Sequence, residues 1–535
     1  MRAPVPEKFN LARYCLAENA RLQPERPALT IVGDDHVLRW THGELDDKVR
    51  RLAAGLQGLG LPPGSRVMIR MGNEANAALA YFAVIAAGHV ALLASSQLTF
   101  EEADFLRKDC GAAALLLGAG FEREPHEAPG LHEAPGLEAP GLHVLRGADL
   151  ERLLLCEPLD DYADTGANDH AYLVYTSGTT SRPKGVLHAH RAAFARKVMY
   201  PHWMGLTRED VMLHAGAINW TYTLGVGVID PLACGAQAIL YNGRPDPAIW
   251  PRLIERHGAT IFAAVPGVFR QILKHSPSFQ DGRPSRTPDD APPSCDLSSL
   301  RPGLSSLRHG LSAGAALAPD LLAEWRQHTG KEIFEAFGMS EISTFVSSGP
   351  TTPVRPGSPG RPQPGRRVAV LPRDGGTTPL PPGEIGLMAV HRDEPGLMLG
   401  YWNRQEEEKE ARRGDWFVSG DLVEIDAEGY VWLHGRADEV MNAGGYRVSP
   451  AEVERCLIGC PGVAEAAVAE RPGRDPGTTI IKAYVVARHG VVLDEAEILA
   501  HCARHLASYK RPRTVQALGA LPRNANGKLV RASLP

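Results

Sequence analysis

The chain has 535 residues, with 57 Lys and Arg against 62 Asp and Glu and a formal charge of −5 at pH 7. It is 44% hydrophobic and 22% charged, the make-up of a soluble globular protein. That content is too apolar for a disordered chain, lacks the basic excess of a nucleic-acid binder, and at this length implies more than one domain.

The first twenty residues, MRAPVPEKFNLARYCLAENA, have no apolar signal core. The most membrane-like run, 77–94, contains Gly88 and His89 and falls short of the ~20 apolar residues a span needs. It reads as a buried helix followed by a buried strand, so a cytoplasmic protein without a membrane span is expected. The eight cysteines are scattered and form no CxxC. Cys456 and Cys460 share a helix face, but no second pair stands near them to complete a zinc site. Free thiols in a reducing compartment are the expectation.

Along the first 110 residues helical and strand patterns alternate. Residues 44–59 carry Leu45, Val49, Leu52 and Leu56 at helical spacing, and Thr41 with Glu44 fits a capping box. Pro62-Pro63-Gly64 turns into a strand at 66–70; a helix at 73–87 and a strand at 90–93 follow. Such alternation predicts an α/β fold with a largely parallel sheet. The pentapeptide EAPGL then occurs three times, at 127–131, 133–137 and 138–142. Five residues are too few for a solenoid repeat, so an inserted surface loop is expected. A helix is predicted over 250–275 and a Pro/Ser/Asp-rich loop over 276–296. The last hundred residues read as a small α+β unit. It holds a hairpin of 420–425 with 430–433, a helix at 450–457, strands at 463–469 and 480–486, and a helix at 494–506.

The segment 172–190, YLVYTSGTTSRPKGVLHAH, is a strand running into a loop of hydroxyls and glycines closed by a lysine. Glycines let backbone N–H groups approach phosphate, hydroxyls donate, and Lys184 adds charge. Only 11 of the 57 basic residues are Lys, which makes one at this place more telling. A Walker A loop would need Ser or Thr after the lysine, and Gly185 stands there. This segment resembles the phosphate loop of the adenylate-forming superfamily: acyl- and aryl-CoA synthetases, luciferase-like enzymes and peptide-synthetase adenylation domains. Further signatures in the same order extend the resemblance over essentially the whole chain.

The resemblance implies a large N-terminal domain of layered, parallel-rich sheets and helices, 1–436, and a small mobile α+β domain, 437–535. It implies a nucleotide site of Thr176, Ser177, Gly178, Thr179, Thr180 and Lys184. Glu335-Ala336-Phe337-Gly338-Met339-Ser340-Glu341 resembles the motif in which an aromatic ring lies at adenine, a hydroxyl meets the α-phosphate and the glutamate holds Mg²⁺. Phe337 replaces the commoner Tyr and Ser340 the commoner Thr. Gly314 and Ala315 lie in a segment like the adenine-side loop, where many relatives have an acidic residue or glycine in place of Ala315. Asp421, in WFVSGD, would bind both ribose hydroxyls. Arg436 would contact the nucleotide, and Asp438 would be the hinge. Gly444, Gly445, Tyr446 and Arg447 would face the pantetheine arm of CoA. Lys528, in PRNANGK, would reach the carboxylate and α-phosphate. Catalysis would fall to Lys528, Glu341, Lys184 and Arg436.

The implied reaction joins a carboxylic acid to AMP and transfers the acyl group to CoA, with ATP and CoA as co-substrates and Mg²⁺ as cofactor. The acid pocket would include Ala215, Trp220, Tyr222, Leu224 and Gly338. Acetate-activating relatives carry Trp where Gly338 stands, so glycine suggests a larger acid. The segment 225–245 resembles benzoate-type ligases, and an aromatic or medium-chain monocarboxylate is expected. Alternatives are an enzyme that loads a carrier protein, a non-catalytic acyl-adenylate binder, a kinase-like ATPase and luciferase-like oxidation. The chain ends at Pro535 without a carrier domain, which favours free CoA. Assembly is open between monomer and homodimer. Deleting 127–142 is expected to leave turnover intact, checked by comparing kcat of the deletion and the full chain.

Overall fold

The computed structural model describes all residues except 1–3, 122–141, 177–182, 245, 247, 276–303, 438–440, 444–445, 474–478, 489, 507–509 and 525–528. The EAPGL segment up to residue 141 and the loop expected at 276–296 therefore lie outside the described residues. The chain packs as two compact units, one of Met1–Arg366 with Asp393–Glu410, the other of Arg367–Arg392 with Ala411–Pro535. That division follows packing. The expected boundary between 436 and 437 concerns a rotation of the last hundred residues.

Two sheets build the first unit. One has nine strands in the order Arg361–Pro362, Ser343–Ser347, Glu332–Met339, His309–Ala313, Ile261–Ala264, Val211–His214, Gln237–Tyr241, Pro27–Val32 and Val37–Thr41. Its middle six strands are parallel and its margins antiparallel. The other has seven, in the order Gly400–Tyr401, Lys184–Ala189, His170–Thr176, Val90–Ala94, Arg66–Arg70, Ala114–Leu117 and His143–Leu145. These are the predicted parallel-rich layers. The alternation that signalled them is the one parallel strands require, because each needs a crossover before the next.

The local rules hold where they are strongest. The helix His42–Gln57 begins with the expected capping box: Glu44 N–H donates to Thr41 Oγ1 at 3.2 Å, and Thr41 N–H to Glu44 Oε2 at 2.8 Å. Leu45, Val49, Leu52 and Leu56 form its buried face. Residues 77–94 are the helix Ala75–Ala86 and the strand Val90–Ala94, buried along nearly their whole length. Among the described residues no helix is long and apolar enough to cross a membrane.

The helix expected over 250–275 is a correction. Two helices, Ile249–His257 and Pro266–Lys274, flank the buried strand Ile261–Ala264. Gly258 ends the first helix in the left-handed region at φ +63°, and Pro266 opens the second, the usual glycine stop and proline start. The apolar run IFAA was a strand read through as helix.

The second unit holds an antiparallel sheet in which Gly386–His391 and Val431–Arg436 flank Trp416–Ile425. It also holds the three strands Val463–Pro472, Thr479–Ala487 and Thr514–Ala517. Helices Pro450–Ile458 and Glu495–His505 pack on these through Val453, Leu457, Val468, Ile481 and Ile498. Thr41→Ala is expected to weaken the start of its helix by about 1 kcal/mol, seen as faster amide exchange over residues 42–46.

Candidate active site

The strand Glu332–Met339 turns back as Ser343–Ser347 through three residues: Ser340, Glu341 and Ile342. The register pairs Met339 with Ser343 and Gly338 with Thr344, after a shift between Phe337 and Gly338. Glu341 thus stands at the tip of a tight β-turn and does not open a helix. A Cβ at Gly338 would lie 2.3 Å from the Ser343 carbonyl oxygen and 2.6 Å from Thr344 Cα. Glycine is required there by backbone contact. Any larger residue there needs the returning strand to move. Phe337 is half-buried, edge-on to Phe345 at 5.6 Å.

The phosphate-loop strands bring a second group to this turn. Thr176 and Lys184 are register partners on adjacent antiparallel strands, so the loop leaves and returns at one point. Ser177, Gly178, Thr179 and Thr180 lie outside the described residues. Lys184 Nζ lies 5.7 Å from the centre of the Tyr401 ring, within cation–π range. Tyr401 donates its hydroxyl to Glu341 Oε1 at 2.7 Å. Met398 N–H donates to the Glu341 carbonyl at 2.7 Å. His188 lies 2.8 Å from the Ser340 carbonyl through Nε2, which must be the protonated nitrogen because a carbonyl only accepts. Burial pushes the His188 pKa down to about 4, so the ring is neutral. It stacks on Tyr172 with centres 4.6 Å apart. The lysine of one motif and the glutamate of the other therefore meet around Tyr401. Sequence reasoning missed that residue, because Gly400-Tyr401 is a two-residue strand with no pattern of its own.

Glu335 is buried, and its Oε1 accepts from Leu317 N–H at 2.9 Å. That bond pins the far end of the exposed stretch 314–316, whose Gly314 has φ +91°. Burial raises the Glu335 pKa to about 8, while the Leu317 N–H works the other way. Ala336 is buried among Leu311, Ala313 and Trp203. The side chains of both residues thus face the interior and shape the loop from behind.

In the second unit, Asp421 and Arg436 are register partners on neighbouring antiparallel strands, with guanidinium and carboxylate 3.8 Å apart. Asp421 lies inside the strand Trp416–Ile425, where a strand start was expected. A Cβ at Gly420 would meet Arg436 Nη2 at 2.5 Å, so the glycine gives the arginine its lane. Tyr446 and Arg447 belong to the strand Tyr446–Val448. Asp438, Gly444, Gly445 and Lys528 lie outside the described residues.

The expected acid pocket follows the strand Val211–His214. Ala215 N–H donates to the Ala263 carbonyl at 2.9 Å, continuing the sheet. Tyr222 donates to the Leu311 carbonyl at 3.0 Å, between Trp203 and His214. Tyr222 and Trp220 are both half-buried, and Tyr222 packs against the core cluster of Trp203 and Leu311. Leu224 is buried within a π-helix, Thr223–Ile229. Such helices are rare and concentrate at functional sites. The only sequence trace of this one is the pair Gly225 and Gly227. His214 is buried, its pKa pushed down to about 3 by burial. Its Nδ1 accepts from Gly216 N–H at 2.9 Å.

The family model described as AMP-binding enzyme matches residues 16–402, and the AMP-binding enzyme C-terminal domain matches 452–528. Benzoate–CoA ligase of Thauera aromatica is 31% identical over 541 residues, covering 99% of this chain and 96% of that protein. The structure of ATP-bound MatB from Rhodopseudomonas palustris superposes with a TM-score of 0.83 at 27% identity, covering 97% of each chain. That of the anthranilate–CoA ligase AuaEII with anthranoyl-AMP gives 0.82 at 27%, covering 98% of this chain and 96% of the other. The chain belongs to the AMP-binding enzyme family and is one of its AMP-forming acid–CoA ligases.

A carboxyl group whose folded pKa of about 8 exceeds its unfolded value stabilises the fold below the unfolded value. That contribution is lost as pH rises through the folded one. Glu335→Gln keeps an acceptor for Leu317 and cannot ionise. Its melting temperature is expected to gain on the parent's between pH 5 and 8 and to hold that gain above, measured by thermal unfolding across pH.

Proposed function

We propose that the enzyme's acid is an aromatic or medium-chain monocarboxylate and that the acceptor is free CoA. The supporting observation is the meeting of Lys184, Tyr401 and Glu341. It occurs in a chain related to a benzoate–CoA ligase.

A carboxylate cannot be attacked productively by a thiol, because oxide would have to leave. In the first half-reaction a carboxylate oxygen attacks the α-phosphorus of ATP. The bond to the bridging oxygen breaks, and pyrophosphate leaves with the electron pair. The work of the protein is positioning and charge neutralisation. Thr176, Lys184 and the loop residues Ser177, Gly178, Thr179 and Thr180 hold the phosphates. Phe337 lies at adenine with Gly314 and Ala315. Asp421 accepts from the ribose hydroxyls, since a carboxylate takes two donors from a vicinal diol. Arg436 adds a positive charge, and Lys528 joins carboxylate to α-phosphate.

The donor set at the turn fits Mg²⁺, which commonly takes one or two carboxylates together with substrate phosphates. Glu341 would hold it, with the Ser340 hydroxyl adjacent. When bound, the ion neutralises charge on the departing pyrophosphate. For the second half-reaction the small domain, 437–535, turns about Asp438, a hinge step of the kind that often limits turnover. Lys528 withdraws, and Gly444, Gly445, Tyr446 and Arg447 come to the pantetheine arm. The thiol sulfur attacks the acyl carbon, its proton passes to solvent, and AMP leaves with the electrons of the broken C–O bond. No Ser or Cys nucleophile is called for.

The test is pyrophosphate release with Mg-ATP over acids from acetate through octanoate to benzoate, 2-aminobenzoate and cinnamates, with and without CoA. Acid-dependent release with CoA-dependent turnover on the aromatic or medium-chain members is expected. Release without CoA turnover would point to a carrier-protein acceptor, and preference for acetate would overturn the substrate class. Lys528→Ala is expected to abolish adenylate formation while leaving thioester formation from preformed acyl-adenylate largely intact. Equal loss of both halves would overturn the role given to Lys528.

A further inference from the structure

Behind the turn that carries Glu341 lies a buried cation that the reaction above does not use. Arg196 opens a short 3-10 turn, Arg196–Val198, and its side chain is 7% exposed. Nε and Nη2 donate to the two carboxylate oxygens of Asp230, at 2.8 and 2.6 Å, and that carboxylate is wholly buried. This planar fork satisfies the charge of both partners. The remaining nitrogen, Nη1, donates to the hydroxyl of Ser343. Gly225 makes room for the arrangement, because a Cβ there would lie 2.2 Å from Nη2.

Ser343 is the residue on which the turn closes. It has φ +71°, and among the described non-glycine residues only Asn403 shares a positive value. A tight hairpin turn usually gives its left-handed position to glycine, which adopts it without strain. Here a serine holds it, and its hydroxyl is bonded to the buried arginine. Its carbonyl is the group that lies against Gly338. The turn is also tied by His188 and Tyr401 of the other sheet and by Met398 just before its edge strand. Of these ties, the one from Arg196 acts on the strained residue itself.

We infer that Arg196, braced by Asp230, is a positioning residue for adenylate formation. Through the Ser343 hydroxyl it fixes the turn Ser340–Ile342 and so the place of the Glu341 carboxylate. The inference rests on the reading of Glu341 as the residue that holds Mg²⁺.

Ser343→Ala removes the hydroxyl and leaves the strain. Ser343→Gly removes both. Arg196→Lys keeps the charge and loses the fork. Two quantities are read on the full chain: amide exchange over residues 339–344 without nucleotide, and the Mg²⁺ concentration giving half-maximal acid-dependent pyrophosphate release. S343A is expected to speed exchange at those residues and to raise the Mg²⁺ requirement about tenfold, the usual order for loss of a residue that orients a metal ligand. S343G should lie between S343A and the parent. R196K should behave as S343A does. The double variant should be no worse than R196K alone, because both changes remove one bond. Additive effects, or a parental Mg²⁺ requirement in S343A, would overturn the inference, and S343A decides alone if R196K does not fold. Glu341→Gln separates the two readings. If E341Q keeps the parental requirement, the metal role of Glu341 has failed and the inference falls with it. If E341Q shifts the requirement and S343A does not, only the inference fails.

Discussion

Between Gly338 and the carbonyl of Ser343 there is no room for a side-chain carbon, which would sit 2.3 Å from that oxygen. The turn of Ser340, Glu341 and Ile342 takes its shape from this contact. A strand that must reverse within three residues, with its return pressed against its approach, has few conformations open to it. Glu341 is therefore presented at a defined point by backbone, and the Tyr401 hydroxyl holds one oxygen of its carboxylate. Preorganisation of this kind lets a charged group act without reorganising when the reaction occurs.

Two sheets share the task of holding that point. The nine-stranded sheet supplies the turn; the seven-stranded sheet supplies Lys184, His188 and Tyr401. Tyr401 has a distinct function because its ring and its hydroxyl serve different partners. The ring faces a cation and the hydroxyl an anion. The residue keeps Lys184 and Glu341 near one another while standing between them, where direct contact would let the two charges cancel. A polyphosphate with a divalent cation needs both charges separately available.

Much of this was legible in the chain, and what was missed has physical reasons. The phosphate loop, the turn motif and the segments around Asp421 and Arg436 are local strings whose residue types declare their chemistry, while the pairing of Asp421 with Arg436 appears only in the fold. The helix at 42–57 obeyed periodicity and capping, and that at 75–86 was marked by an unbroken apolar run. The strand at 261–264 is hidden in the sequence, because four apolar residues between two amphipathic helices carry no period of their own. Tyr401 and Arg196 act over separations of 60 and 147 residues, and no window along the sequence joins such partners. Glu335 was placed at the nucleotide by its position in the motif. That its carboxyl turns inward to Leu317 depends on the packing of one strand against the next. That Gly338 is pressed by the returning strand depends likewise on the register of that turn.

The fit of Arg196 into the space above Gly225 has a consequence for how this segment can drift over time. A methyl group at 225 and a full guanidinium at 196 exclude each other, so neither position can vary by itself. An ancestor with a smaller residue at 196 could accept alanine at 225, and would then have to hold the left-handed residue of the turn by other means, glycine being the simplest. Positions 196, 225 and 343 are thus expected to be inherited as a set, with changes at one made tolerable only by changes at the others. Among relatives that differ at all three, the difference should be found together with a turn that relies on its own backbone.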